Sequence, residues 1–298
     1  MRTRRLMLAW PAMLLAVGCG AGSVSVGPSP DPGPGPGGGG SAVLVGAGDI
    51  AVCGEPAAEA TAQVLDKVSG TVFTAGDNAY FQGTAEQFRD CYHPTWGRHK
   101  DRTRPAPGNH DYESPGAAPY FAYFGQAAGP RGLGYYSFTL GVWHVVSLNS
   151  NIAADSLSEQ AQWLRDDLAA TRATCVAAIF HHPLFSSGPS RGGAMKDIWK
   201  VLYQAGVEIV VNGHDHGYER FAPQDPDGRS DASRGIREFV VGSGGAPLYN
   251  FLAPRPNSEA RISRFGVIRF TLSPQGYDWA FLEAPAGVVL DAGFGACH

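Results

Sequence analysis

The fold is decided by the stretch Thr71-Val72-Phe73-Thr74-Ala75-Gly76-Asp77-Asn78-Ala79-Tyr80. Its first half is an apolar run typical of a buried strand, and Gly76 lets the backbone turn sharply. The strand therefore places the Asp77 carboxylate at its C-terminal tip, the edge of an open α/β sheet where ligands bind. Tyr80 can return a phenolate oxygen to the same point. The pair predicts a site for a hard cation, although Gly-Asp after a strand is commonly only a turn.

The same pattern occurs one β-α-β unit earlier. An apolar strand over residues 42–48 runs into Asp49, and residues 55–68 have helical spacing. A right-handed crossover puts Asp49 and Asp77 on neighbouring parallel strand tips. The glycines at the first strand end are also found in dinucleotide-binding folds. The glycine fingerprint of those folds requires a third glycine, and Ala51 occupies that position.

Three further strand ends carry polar side chains. They are the extended segment ending in Gly108-Asn109-His110-Asp111, the strand 175–180 ending in His181-His182-Pro183, and the strand 207–211 ending in Asn212-Gly213-His214-Asp215-His216. Five independent strand ends thus converge on one edge of a layered α/β fold.

A second sheet is predicted from the remaining strands. A hairpin over residues 134–148 begins it, and short alternating strands at 236–241, 265–272 and 277–283 are expected to complete it. Between these strands, Ser156-Leu157-Ser158-Glu159 reads as a capping box that opens a helix with Leu157 facing inward. Residues 192–205 are predicted to be helical.

The N-terminus has the features of an export signal. Residues 1–19 combine Arg2, Arg4 and Arg5 with an apolar stretch too short to span a bilayer. Ala16-Val17-Gly18-Cys19 is similar to a bacterial lipobox, which predicts lipidation of Cys19 and anchoring at the bacterial cell surface; ordinary secretion is the alternative. Residues 20–41 are rich in Gly, Pro and Ser and are predicted to form a disordered linker, so residues 42–298 form the folded domain.

Charge and cysteine content narrow the class of protein. Removal of the signal, which holds three arginines and no acids, takes the net charge from -4 to -7, which argues against binding nucleic acid. No protein partner is predicted. Apart from Cys19, four cysteines allow three disulfide pairings. In an oxidising compartment we expect Cys53–Cys91 and Cys175–Cys297.

The convergent side chains exceed what one zinc ion needs and suit two ions that share Asp77. Two metals on the order of 3.5–4 Å apart hold the attacking and leaving oxygens in phosphoryl transfer. The set consists of Asp49, Asp77, Tyr80, Asn109, His110, His181, His214 and His216.

In this order, the motifs resemble those of the calcineurin-like metallophosphoesterases and, among them, the purple acid phosphatases. The resemblance implies a four-layer α-β-β-α sandwich with two mixed sheets and a metal site at the C-terminal strand ends. The superfamily has Asp-x-His at the first motif and Gly-Asp-x-x-Asp at the second. Here Ala51 replaces the histidine and Tyr80 replaces the later aspartate, as in purple acid phosphatases, where an iron(III)–phenolate bond gives the colour.

The resemblance also implies roles for the individual residues. Iron(III) is expected on Asp49, Tyr80, His216 and shared Asp77, and iron, zinc or manganese on Asp77, Asn109, His181 and His214. A hydroxide held by the ions attacks phosphorus in line. His110 protonates the leaving alkoxide, with Asp111 as the partner that fixes its tautomer.

One departure from the family concerns substrate contacts. Many purple acid phosphatases carry a further histidine shortly after the His-x-Pro motif, and residues 184–193 contain none. Arg191 either contacts phosphate or is an ordinary solvated arginine, and Arg220 either contacts phosphate or braces the histidine loop. His182 is interpreted as a neighbour of the ligands or, alternatively, as a substrate contact.

The sequence therefore predicts an exported, metal-dependent phosphomonoesterase that resembles acid phosphatases and acts on small phosphorylated substrates. A phosphodiesterase or nucleotidase on the same scaffold is the alternative. A surface lipoprotein that binds ligands without catalysis is the third hypothesis.

Overall fold

A computed structural model describes residues 40–190 and 192–298. The predicted signal, the lipidated Cys19, most of the predicted linker and Arg191 lie outside the described residues. The strands are β1 (Ala42–Ala47), β2 (Ala51–Val52), β3 (Thr71–Ala75), β4 (Ala79–Tyr80), β5 (Thr103–Ala106), β6 (Tyr136–Leu140), β7 (Trp143–Ser147), β8 (Val176–Ile179), β9 (Ile209–Asn212), β10 (Tyr218–Phe221), β11 (Arg237–Val241), β12 (Ser258–Ile262), β13 (Gly266–Ser273), β14 (Gly276–Glu283) and β15 (Val288–Ala296). The α-helices are α1 (Ala57–Lys67), α2 (Ala85–Gln87), α3 (Asn109–Tyr112), α4 (Ala118–Phe124), α5 (Glu159–Ala170) and α6 (Lys196–Gln204).

Two mixed sheets form the centre of the molecule. The first has the strand order β15-β14-β13-β1-β3-β5, and the second has the order β12-β10-β11-β9-β8-β7-β6. β1, β3 and β5 are parallel in the first sheet, as are β7, β8, β9 and β11 in the second. The carboxyl ends of these parallel strands therefore share one edge within each sheet, as the sequence predicts.

Apolar side chains fill the layers. Phe73 of β3, Trp143 of β7 and Phe239 of β11 belong to one buried cluster, which joins the two sheets. A second cluster, which includes Leu164 of α5 and Trp199 of α6, packs on the second sheet. This is the predicted α/β sandwich with two mixed sheets.

The C-terminal strands correct one part of the prediction. Of the three strands predicted to complete the second sheet, only β11 joins it, whereas β13 and β14 extend the first sheet from the free edge of β1. Alternating apolar residues identify a strand but not the edge it pairs with. Here the antiparallel meander β13-β14-β15 covers the side of β1 that β3 leaves open.

The start of α5 corrects the predicted helix N-terminus. Ser158, not Ser156, is the N-cap, and its hydroxyl accepts a hydrogen bond from the Ala161 amide at 3.2 Å. Leu157 is 91% exposed rather than turned inward. The backbone amide of Ser156 donates instead to Asp197 of α6. The Ser158 amide donates to the Asp155 carbonyl at 3.1 Å, which makes residues 155–158 a turn before the helix.

Both predicted disulfides are present. Cys53–Cys91 ties the segment after β2 to the π-helical turn over Phe88–Tyr92, and Cys175–Cys297 joins the start of β8 to the end of β15. The second bridge therefore connects the two sheets. Loop closure stabilises the fold by about 4 kcal/mol for the first bridge and about 5 kcal/mol for the second, which closes the longer loop. Within the described ranges, no helix is long and apolar enough to cross a bilayer.

Candidate metal centre

The candidate ligands follow the strand ends with a regular offset. Asp49, Asp77, His181 and His214 each lie two residues beyond the end of β1, β3, β8 and β9 respectively, and Asn109 opens α3 after β5. Tyr80 belongs to β4, which pairs in parallel with β2 so that Ala51 lies opposite Ala79. The structure therefore brings all seven predicted metal ligands to one place.

Sharp turns aim these side chains inward. Asp49 and Asp77 have positive φ angles of 61° and 51°, and Gly76 before Asp77 has φ 85°. A Cβ atom on Gly108 would lie 2.1 Å from Asp77 Oδ1, so only glycine fits there. This close approach explains why a glycine precedes Asn109.

One half of the centre surrounds the Tyr80 hydroxyl, which is buried. Its oxygen lies 2.8 Å from Asp49 Oδ1, 3.0 Å from Asp77 Oδ2 and 3.2 Å from His216 Nε2. A single phenolic proton cannot satisfy two carboxylates and an imidazole nitrogen at once.

The other half surrounds His181. Its Nε2 lies 3.0 Å from Asn109 Oδ1, 3.2 Å from Asp77 Oδ2 and 3.2 Å from His214 Nδ1. The Oδ2 atom of Asp77 therefore borders both halves, at 3.0 Å from the Tyr80 oxygen and 3.2 Å from His181 Nε2. Asp77 thus lies between the two halves.

Backbone carbonyls orient two of the histidines. His181 Nδ1 lies 2.8 Å from the Ala75 carbonyl, and His216 Nδ1 lies 2.7 Å from the Pro247 carbonyl. Because a carbonyl only accepts, each Nδ1 donates its proton outward, and in the neutral imidazole each Nε2 turns a lone pair toward the cluster. Such outer hydrogen bonds are typical of metal-binding histidines.

The chemistry of the donor set fits metal ions. Burial, together with Asp49 and Asp77 nearby, raises the pKa of Tyr80 well above its usual range, so a phenolate here needs a cation. Burial disfavours charge on His181 and Asp77, but their contact raises the pKa of His181 to about 9 and keeps the pKa of Asp77 below its usual range. Oxygen and imidazole donors of this kind suit iron, zinc or manganese.

His110 lies at the mouth of the cluster, half-buried. Its backbone amide donates to Asp77 Oδ1 at 2.8 Å, and its Nδ1 lies 2.6 Å from the carbonyl oxygen of Phe81. That carbonyl fixes the tautomer with the proton on Nδ1, while Nε2 faces Asp77 Oδ2 at 4.0 Å. A carbonyl oxygen cannot be found by reading side chains, so sequence reasoning missed this partner.

Asp111 does not orient His110, which corrects the prediction. Its carboxylate accepts hydrogen bonds from the Gly108 amide at 2.8 Å and from Asn78 Nδ2 at 2.9 Å. Burial and the nearby Asp77 raise the pKa of Asp111 to about 7. Asp111 therefore ties the Asp77 turn to the Asn109 turn and positions two ligand-bearing loops.

Comparison with known proteins identifies the family. The calcineurin-like phosphoesterase family matches residues 43–218, more than half of the chain, and this span contains all seven candidate ligands. The chain belongs to this family.

Its relatives include purple acid phosphatases. The phosphoesterase is 37% identical over 107 residues to purple acid phosphatase 15 of Arabidopsis thaliana, covering 34% of this chain and 20% of that protein. It is 34% identical over 143 residues to purple acid phosphatase 22 of the same plant, covering 44% of this chain and 32% of that protein. The phosphoesterase thus matches only a minor part of the length of these relatives.

A solved structure has the same fold. Purple acid phosphatase PPD1 from yellow lupin seeds superposes with a TM-score of 0.74 over 88% of this chain and 55% of that chain, at 20% identity. The chain is thus similar to purple acid phosphatases over part of its sequence and in its fold.

Two of the predicted substrate contacts can be placed. Arg220 of β10 is paired with Asp291 and Glu259 and stacks over Trp279, so it braces the sheets and is not free to bind phosphate. His182 packs on His214 with ring centroids 4.3 Å apart, and its Nδ1 lies 2.7 Å from Ser150 Oγ. Ser150 lies three residues beyond the end of β7, a strand that the sequence analysis treated only as part of a hairpin, so this contact was not predicted.

Proposed function

We propose that this phosphoesterase hydrolyses phosphate monoesters with two metal ions that share Asp77. The observation that supports this most strongly is the position of Asp77 Oδ2 between the Tyr80 and His181 halves of the centre. The purple acid phosphatases among its relatives support the same reaction.

The two halves of the cluster support a division of the ligands between two ions. One ion, iron(III) by resemblance, would be held by Asp49, Tyr80, His216 and Asp77. The other, iron, zinc or manganese by resemblance, would be held by Asp77, Asn109, His181 and His214. When bound, the ions neutralise phosphate charge and acidify the water that attacks phosphorus.

His110 is the proposed proton donor. The Phe81 carbonyl keeps a proton on Nδ1, so a second proton on Nε2 makes an imidazolium that faces the reaction space. His110 Nε2 lies 4.0 Å from Asp77 Oδ2, so this proton is held next to the ligand that the two halves share. Transfer of the Nε2 proton to the departing alkoxide leaves a neutral imidazole, still oriented by Phe81.

We propose export as the location. Two disulfides are typical of oxidising compartments. Lipidation of Cys19 or simple cleavage of the signal remains the prediction for the N-terminus.

A phosphodiesterase is the second candidate, because of the loop after His181-His182-Pro183. The hydroxyl of Ser187 donates to Glu219, and the hydroxyl of Ser186 accepts from the Gly188 amide, so both face into the loop. A diester carries less negative charge than a monoester and needs fewer donors beyond the metals.

Hydrolysis of paired substrates tests the proposal. Purified, metal-loaded protein is assayed with 4-nitrophenyl phosphate and bis(4-nitrophenyl) phosphate, before and after chelation. We expect chelator-sensitive turnover with the monoester favoured. Faster turnover of the diester would favour the second candidate, and absence of metal-dependent turnover on both would contradict the proposal.

A further inference from the structure

We propose that the centre selects phosphate esters whose leaving group is a planar aromatic ring, held at the rim of the site by Phe81 and Tyr249. This inference rests on the proposed function and adds the substrate class. Neither residue belongs to the predicted ligand or substrate set.

Exposed aromatic side chains are concentrated at the metal centre. Among the large hydrophobic residues exposed in the described part of the chain, three are aromatic: Phe81 (50%), Tyr249 (39%) and Phe294 (80%). Two of these three border the centre. Scattered exposed apolar residues need no explanation, but aromatic rings at a catalytic rim are typical of ligand contact.

Phe81 lies on the side where the leaving group departs. It follows Tyr80 directly, its carbonyl contacts His110 Nδ1 at 2.6 Å, and its ring centroid lies 6.0 Å from that of His110. A leaving-group oxygen that accepts a proton from His110 Nε2 places the rest of the leaving group near this ring. An aromatic leaving group can stack on Phe81 or meet its edge.

Tyr249 forms a second wall on the side of the Tyr80 half. Its ring stacks on His216 with centroids 4.0 Å apart and an interplanar angle of 12°. Its backbone amide donates to the His216 carbonyl at 2.8 Å, which fixes the loop. Leu252, 65% exposed and three residues further on, is anchored by its amide to the Ser187 carbonyl at 2.8 Å. These walls offer apolar and π surface to a substrate.

The hydroxyls of the loop that follows Pro183 do not offer a competing contact to the leaving group. Ser187 is committed to Glu219 and Ser186 to the Gly188 amide. A polyol leaving group therefore gains little from these hydroxyls, while a planar ring gains stacking and burial.

Specificity constants on two substrates test the inference. For phenyl phosphate, Phe81→Ala is expected to lower kcat/KM about tenfold, and Tyr249→Leu about fivefold. For glycerol 2-phosphate, each substitution is expected to change kcat/KM by less than about twofold, since the polyol does not stack. Phe81→Tyr, which keeps the ring, is expected to retain wild-type discrimination. Phe294→Ala, on the edge strand β15, is the matched control and should leave both constants unchanged.

Metal content is measured for every variant. If Phe81→Ala loses metal, Phe81→Leu, which keeps apolar bulk without the ring, takes its place with the same expected loss on phenyl phosphate. Equal loss on both substrates, or no loss on phenyl phosphate, overturns the inference while the proposed function stands. Absence of turnover of both substrates by the wild-type protein removes the proposed function, and the inference with it.

Discussion

Asp77 is the residue on which both halves of the centre depend. Its Oδ2 borders Tyr80 and His181, and its Oδ1 accepts the His110 amide at 2.8 Å. One carboxylate thus organises the ligands and the proposed proton donor. Its position requires the positive φ of Asp77 and the absence of a side chain at Gly108.

Substitution of the shared carboxylate is therefore expected to empty the centre. Asp77→Asn keeps the shape but removes the negative charge that both ions need. We expect metal content, measured by elemental analysis, to fall from two ions per chain to fewer than one. Asp278→Asn, at an exposed position of β14, is the control. Two retained ions in Asp77→Asn would contradict the bridging role.

The role of His110 predicts a dependence on the leaving group. His110→Gln removes the proton donor, so kcat on phenyl phosphate is expected to fall by about 10²–10⁴. 4-Nitrophenolate departs readily without a proton, so the loss on 4-nitrophenyl phosphate is expected to be much smaller. Steady-state rates on both substrates check this, and equal losses would contradict proton donation by His110.

At the scale of elements, two buried carboxylates shape the loop that follows the His181 ligand. Glu238 of β11 accepts from the Leu184 amide at 3.0 Å and the Phe185 amide at 3.2 Å, and Glu219 of β10 accepts from the Ser187 amide at 2.7 Å. Strands of the second sheet therefore hold a loop of the site in place.

Glu238 predicts a pH dependence of stability. Burial, with Glu219 nearby, raises the pKa of Glu238 well above its usual range. The folded state therefore holds this proton more firmly than the unfolded state, so its stabilising contribution is complete below the ordinary glutamate pKa and is lost as pH rises through the folded pKa.

Glu238→Gln cannot titrate and is expected to lose less stability than the wild type between about pH 4.5 and about pH 8. Urea unfolding at both pH values, with Glu283→Gln on β14 as the control, measures the difference. Parallel losses in Glu238→Gln and wild type would contradict a raised pKa.

The elements also show how far sequence reasoning reaches. Buried parallel strands that end in polar turns are local signals, so the convergence of the seven candidate ligands could be predicted from them. The sheet that β13 and β14 join depends on which edge of β1 is open, which alternation does not encode. The partners of His110 and Asp111 depend on backbone atoms of Phe81 and Gly108, and these have no side-chain signature.

At the scale of the whole molecule, the centre lies where two sheets meet. The first sheet supplies Asp49, Asp77 and Asn109, and the second supplies His181 and His214, so neither sheet alone can complete a metal site. The Cys175–Cys297 disulfide joins the two sheets covalently. The geometry of the centre therefore depends on the packing between the two sheets.

Activity as a function of added metal tests the proposed dinuclear centre most directly. Chelated protein is titrated with iron, zinc or manganese while hydrolysis of 4-nitrophenyl phosphate is followed, with Asp77→Asn as the comparison. We predict that the rate rises and saturates at two ions per chain for the wild type and stays at background for the variant. Hydrolysis that is independent of metal, or that saturates at one ion per chain, would contradict a dinuclear centre bridged by Asp77.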